Sequence, residues 1–493
     1  MRLNYLANAI GLVMIYIGTV ILLPILVGLY YRETFCIIPF LTAGLIGIAC
    51  GTLLRRIIPD AERVENINDI KKSEALCIVT FSWITFAIIA AIPYLFYGLN
   101  PIDSLFEAVS GITTTGATVI THFNYDKAFF FWRSFTQWLG GLGIIVLFIA
   151  ILPQFAVAGR QMFFAEAPGP TEDKITPRIR NTASALWKIY AVLTVIEIIL
   201  LKFAGMPGFD AVCTSLSTLA AGGFSPNPES IMGYHSDLIT RIVIFFMFLS
   251  GTSFILQYRV ITGKKPSLFF KNEEFKVYLG LILLFSLIIA AILYFKNGYN
   301  ISDGITAGLF QTISISTSTG SASVDYTQWD FSAQVVLFIV MFMGGCASSA
   351  GGGIKMTRWI LVFKSLKSEL VKILHPNAVI NIKVDNTVIP PDVIRQIFVF
   401  VFYFFLIFAV GAVIITIAEH DIVTGLSGAI SAVGNVGPGL GNTIGPMGSF
   451  GSMHIISKSV MIIGMLVGRL EIIPFLVFFQ RDFWQLKKQN SSV

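Results

Sequence analysis

The sequence predicts an all-α polytopic membrane protein, with an N-terminal hairpin followed by four pseudo-symmetric span–short helix–span repeats around one axis. Three observations predict it. The 493 residues are 55% hydrophobic and 13% charged, with a mean hydropathy of +0.78, whereas about a quarter of a soluble domain is charged. Apolar runs long enough to cross about 30 Å of hydrocarbon recur along the whole chain. Four short polar segments, each between two such runs, align on one glycine apiece.

The runs fall near 9–29, 37–54, 75–97, 129–152, 183–203, 238–258, 275–295, 332–370, 391–418 and 453–479. The first reads as a retained span: only Arg2 precedes it, and no small-residue cleavage site follows Leu29. The chain divides accordingly into an N-terminal hairpin with its connection (1–72) and four repeats at 73–160, 161–260, 261–385 and 386–493.

Alternate connections are basic. They hold Arg55, Arg56, Arg63, Lys71 and Lys72; Arg160, Lys174, Arg178, Arg180 and Lys188; Arg259, Lys264, Lys265, Lys271 and Lys276; and Lys355, Arg358, Lys364, Lys367, Lys372, Lys383 and Arg395. If the spans alternate, these share one side, which is cytoplasmic. The net charge of +6 is therefore a topology signal. It does not predict nucleic-acid binding, because no basic cluster interleaves with stacking aromatics in a soluble module. The other connections carry Asp103, Asp126, Asp210, Glu229, Asp237, Asp303, Asp325, Asp330, Glu419 and Asp421. Singly these read as helix caps; together they make a mouth that favours cations over anions.

The repeat segments read VSGITTTGAT (109–118), LSTLAAGGFS (216–225), ISISTSTGSA (313–322) and ISAVGNVGPG (430–439). Gly116, Gly223, Gly320 and Gly437 come into register, 107, 97 and 117 residues apart, and Ser110, Ser217, Ser314 and Ser431 each stand six residues earlier. A short helix dipping in from outside points its negative C-terminal end toward the membrane centre. Non-helical backbone at that depth must be buried or line a wet cavity. Four such strands make a ring of carbonyl oxygens able to replace an ion's hydration shell, and glycine serves where the backbone takes positive φ or crowds the axis. The candidate filter is thus Thr113, Thr114, Thr115 and Gly116; Ala220, Ala221, Gly222 and Gly223; Thr317, Ser318, Thr319 and Gly320; and Gly434, Asn435, Val436 and Gly437.

A second stretch, Gly344, Gly345, Cys346, Ala347, Ser348, Ser349, Ala350, Gly351, Gly352 and Gly353, interrupts the long run 332–370. Each glycine costs a helix about 1 kcal/mol against Ala, and irregular backbone is not tolerated against lipid. The stretch must therefore be buried or face the pore. It is no phosphate loop, because G-x-x-x-x-G-K-[ST] is absent. Arg469 lies inside the last run and needs a partner or a wet cavity, with Glu471 on another helix face. Glu197 is a lesser intramembrane candidate, and Arg133 reads as an interfacial anchor.

Cys36, Cys50, Cys77, Cys213 and Cys346 have no paired spacing, and His122, His235, His375, His420 and His454 stand apart, so no transition-metal site is expected. A lipid-modifying membrane enzyme would need carboxylates or a His/Ser/Asp set converging at one face, and none does.

Four span–pore-helix–span units in one chain resemble the potassium transporters descended from a tetrameric channel, and within them the bacterial TrkH family, with the KtrB family a close relative. The likeness rests also on QWLGGLGIIVLFIAILP (137–153), EAPGP (166–170), PRIRNTASALWKIY (177–190), AAGGFS (220–225), GGCASSAGGGIK (344–355) and GRLEI (468–472). It implies potassium uptake through a selective, gated pore in the bacterial inner membrane, with no cofactor in the chain and potassium as substrate. It makes 344–353 a gate loop and puts Arg469 just below the filter, where a like charge would oppose the leaving ion. It implies a homodimer carrying a TrkA-like cytoplasmic nucleotide-binding ring. No repeat has a T-V-G-Y-G, so discrimination against sodium is expected to be weaker than in a potassium channel. Coupling to sodium or protons stays open.

Overall fold

The computed structural model describes residues 3–57, 72–141, 179–385, 387–472 and 475. The EAPGP motif, the basic residues Arg63, Arg160, Lys174 and Arg178, and half of the run 129–152 lie outside the described residues.

The N-terminal hairpin pairs α1 (Leu3–Val20), continued by α2 (Leu23–Tyr30), with α3 (Ile37–Ile57). Small residues allow the close approach: a methyl on Gly18 would sit 2.8 Å from the carbonyl oxygen of Gly44, and one on Gly44 2.9 Å from that of Gly18. Packing of this kind drives association where lipid is as apolar as the side chains.

Among the described residues, six helices are long and apolar enough to cross a membrane. Besides α1–α2 and α3 they include α4 (Lys72–Phe96), α7 (Ile179–Phe203), α12 (Glu273–Asn297) and α16 (Pro391–Glu419). The run 238–258, expected as one span, is a broken pair. Helix α9 (Asp237–Ser250) and α10 (Phe254–Gly263) meet at 98°, across Gly251–Thr252–Ser253, with the Ser253 side chain accepting from Leu256 N to start the second helix. The run 332–370 is also two helices, α14 (Phe331–Val340) and α15 (Met356–Leu374), separated by the glycine-rich stretch. Helix α6 (Lys127–Gly141) and α18 (Ile455–Arg469) complete the walls of the first and last repeats. A short helix, α11 (Ser267–Lys271), precedes α12, and a hairpin of two-residue strands, β1 (Lys383–Val384) and β2 (Thr387–Val388), precedes α16.

The four aligned segments are each led by a helix too short to cross: α5 (Pro101–Ile112), α8 (Gly208–Leu219), α13 (Ile301–Ser316) and α17 (Ile422–Gly434). At 1.5 Å per residue they span roughly 18–24 Å. Their N-termini carry the acidic residues of the outer connections. Asn100 accepts from Asp103 N, and Asp421 accepts from Val423 N and Thr424 N. Asp210 and Asp303 lie in first turns, where the dipole favours negative charge. Their C-terminal halves are buried almost completely, which brings the ends together inside the protein.

Candidate functional site: a closed ring over a braced loop

The four short helices end alike. In each segment the amide one residue before the aligned glycine donates to the carbonyl of the aligned serine: Thr115 to Ser110 and Gly222 to Ser217 at 2.9 Å, Thr319 to Ser314 at 2.8 Å, and Val436 to Ser431 at 2.9 Å. This is the 6→1 closing bond of a helix end. The residue just before that amide is left-handed in all four, with φ of 57° at Thr114, 56° at Ala221, 57° at Ser318 and 53° at Asn435. Then comes the glycine, with φ of 82°, 74°, 74° and 105°. The serine spacing therefore has a backbone cause. The hydroxyls do different things: that of Ser314 donates to Ser321 O at 2.6 Å, and that of Ser217 to Thr214 O at 2.9 Å.

The glycines also abut one another's segments in cyclic order. A methyl on Gly116 would strike the carbonyl oxygen of Gly222, and one on Gly223 that of Thr319. One on Gly320 would meet Val436 O, and one on Gly437 would return to Thr115 O. First meets second, second third, third fourth, and fourth first. The ring closes.

On one side of the ring a cavity is lined by Gly116, Gly223, Gly320 and Pro438, with Arg133 and Phe450 in its wall. On the other side lies the stretch 344–354. Gly351 packs so tightly under Thr317 that a methyl there would be 2.6 Å from its carbonyl oxygen, and Gly352 lies equally close to Gly434 O. The amide of Gly352 donates to the Ser318 hydroxyl.

The loop's non-helical backbone groups are met by neighbours, as buried polar backbone requires. Cys346 N donates to Gly251 O at 2.8 Å, Ala350 N to Ser250 O at 3.1 Å, and Phe254 N to Ser348 O at 3.1 Å. The bend between α9 and α10 is thus the loop's brace. Lys355 donates to the carbonyls of Ser349 and Gly351.

Arg469, half-buried, reaches to the loop. Its Nη1 donates to Ala350 O at 2.9 Å, and its Nη2 to Gly141 O at 2.9 Å and to Gly140 O. One guanidinium therefore joins the last helix, the loop and the end of α6. Glu471 is paired elsewhere, with Arg358.

The TrkH family of cation transport proteins matches residues 62–486. The chain belongs to that family. The Trk system potassium uptake protein TrkH of Salmonella typhimurium is 35% identical over 98% of this chain and 100% of its own length. TrkG of Escherichia coli is 33% identical over 94% of each chain. The crystal structure of the potassium transporter TrkH from Vibrio parahaemolyticus matches with a TM-score of 0.87 at 32% identity, over 98% of this chain and 100% of that one. The chain is accordingly a multi-pass protein of a bacterial inner membrane.

Several contacts made around this TrkH-family ring lie outside the sequence expectation. Arg133, expected as an interfacial anchor, is 1% exposed and bonds to the equally buried Glu107 at 2.7 Å. Glu107 also accepts from Val119 N at 3.0 Å and from the Thr118 hydroxyl, so the pair fixes the strand that leaves the first ring segment. Gln137 reaches from α6 to the second segment, donating to Gly222 O at 2.7 Å and accepting from Phe224 N at 3.0 Å. Asn435 crosses from the fourth segment to the first, donating to the Thr115 hydroxyl at 3.0 Å. Glu197 is buried in α7.

Proposed function

We propose that this chain is the ion-translocating subunit of a Trk-type system and carries potassium inward across the cytoplasmic membrane. The closed ring Gly116–Gly223–Gly320–Gly437 carries the reading. It juxtaposes four helix C-terminal ends, whose partial negative charges favour a cation, with non-helical backbone that can offer carbonyl oxygens to it. The residues 113–116, 220–223, 317–320 and 434–437 form the filter; 344–353 and Arg469 form the gate beneath it. The membrane potential supplies about 2.3 kcal/mol per charge per 100 mV for inward movement. The relatives' names, which all specify potassium uptake or transport, support potassium as the ion.

The chain works as a transporter and not as an enzyme. A cytoplasmic nucleotide-binding ring of the TrkA type docks on the basic face that includes Lys364, Lys367 and Lys372 of α15, and two copies of the chain assemble. The deciding experiment is uptake in cells lacking their own potassium systems. Growth at low potassium, with rubidium flux well above sodium flux, is expected; equal flux of both ions, or no growth, removes the proposal. Repeating the flux in vesicles with and without a proton or sodium gradient decides coupling.

A further inference from the structure

Glu274 does work that the ring and loop alone do not explain. It lies in the first turn of α12, 8% exposed. Its Oε1 accepts from Ala347 N at 2.7 Å, from Thr357 N at 3.0 Å and from the Thr357 hydroxyl. One carboxylate therefore ties Ala347, inside the glycine-rich stretch, to Thr357 in the first turn of the helix that follows it. It also serves α15, whose N-cap residue Lys355 makes no side-chain cap bond. A negative charge supplied from another helix occupies that N-terminus.

The residues beside Glu274 are tied to the small hairpin before α16. Asp385, at its turn, accepts from Glu273 N at 2.7 Å and from Asn272 Nδ2 at 2.6 Å. Lys364 of α15 donates both to Glu273, at 2.7 Å, and to Lys383 O, at 2.6 Å. Val384, beside the hairpin's turn, and Ile389, at its base, are 4% exposed and belong to the same apolar cluster as Cys346 and Met356. The hairpin, the start of α12 and the loop thus form one continuous chain of bonds, from the basic side of the protein to the underside of the ring.

We propose that Glu274 is the positioning residue that latches the 344–354 loop against the ring, and that the 383–388 hairpin sets this latch from the cytoplasmic side. The inference rests on reading 344–353 as the gate. A partner that shifts the hairpin pulls residues 272–274 with it, and the carboxylate then leaves Ala347. The loop loses the acceptor at its start and moves off Thr317 and Gly434.

Cys346 supplies a readout independent of ion flux. It is 1% exposed, inside the loop, next to Ala347. The full chain in nanodiscs is treated with a maleimide, and the labelling rate of Cys346 is followed by peptide mass spectrometry. E274A is expected to raise that rate by roughly tenfold, the usual scale for losing hydrogen bonds to a charged acceptor. E274Q keeps an acceptor oxygen and stays much nearer the wild type. D385A raises the rate less than E274A does, and E274A/D385A labels no faster than E274A alone, because both act through one path. A folded E274A that labels at the wild-type rate overturns the latch. An additive double variant overturns the hairpin's part in it. Should E274A fail to fold, T357V, which removes the hydroxyl bond to the carboxylate, must raise the rate, and an unchanged rate overturns the latch equally. Potassium flux is measured on the same proteins reconstituted into sealed vesicles: a wild type that carries no potassium removes the proposed function and leaves the labelling result standing.

Discussion

The guanidinium of Arg469 donates to the carbonyl of Ala350 at 2.9 Å, across 119 positions of sequence, and so ties α18 to the loop beneath the ring. With Gly140 and Gly141 as further acceptors, its charge is spread over three backbone dipoles. A like-charge barrier and a brace now make different predictions. Arg469→Ala is expected to lower the melting temperature of the purified protein by several degrees and to raise basal potassium flux, because hydrogen bonds to charged groups contribute about 1.5–3 kcal/mol each. Arg469→Lys recovers part of the melting temperature only, since one ammonium cannot span three carbonyls. Raised flux with an unchanged melting temperature would assign the residue to the barrier alone.

Substitution in the ring should act on ion choice before it acts on folding. Gly116→Ser or Gly320→Ser places a Cβ where the neighbouring segment's carbonyl stands, at φ values of 82° and 74° that side chains adopt reluctantly. The expected outcome is a potassium-to-sodium flux ratio reduced severalfold in protein that still reaches the membrane. Four well-folded variants, one at each aligned glycine, with wild-type ratios would sink the ring.

Shortening the loop tests the gate. Deleting several residues within 346–352 removes the backbone packed under Thr317 and Gly434. Flux should rise and lose its dependence on the cytoplasmic regulator. Membrane-inserted deletions that behave as the wild type in both respects would show that the stretch is only packing.

The Glu107–Arg133 pair is expected to matter for stability more than for charge. Both side chains are essentially excluded from solvent. Removing one partner strands the other, and such losses typically cost about 3–5 kcal/mol. Glu107→Ala should therefore unfold at markedly lower temperature than the wild type, while a double replacement by apolar residues of similar volume recovers much of the loss. A double variant no more stable than the single one would argue that Thr118 and Val119, not the ion pair, are what Glu107 is needed for.

The membrane class and the register of Gly116, Gly223, Gly320 and Gly437 are legible in sequence because each rests on local chemistry: apolar length, and backbone that only glycine adopts readily. The break at 344–354 is legible for the same reason. The break at 251–253 is not, although Ser250, Gly251, Thr252 and Ser253 interrupt the apolar run; four small residues are also tolerated in a straight span, and it is the packing of Cys346 and Ser348 against Gly251 and Phe254 that accompanies the 98° bend. Arg133 was misread because its partner is 26 positions away, on a helix that looks ordinary alone. Gln137, Glu274 and Asn435 act through bonds spanning 73 to 320 positions, which no spacing rule reaches.

The ring also has two kinds of wall. In the first segment the hydroxyls of Thr113 and Thr115 lie 2.8 Å apart, and in the third those of Thr317 and Thr319 do the same. The second and fourth segments have Ala220 with Gly222 and Gly434 with Val436 at those places, and so no hydroxyl there. Because the cyclic order sets first opposite third, an ion passing through the proposed filter would meet two hydroxyl-backed sides facing each other and two bare ones between. An assembly of four identical subunits must change all four sides at every substitution. A single chain can alter one quarter and leave the other three, so the preference among ions is open to adjustment in small, lopsided steps.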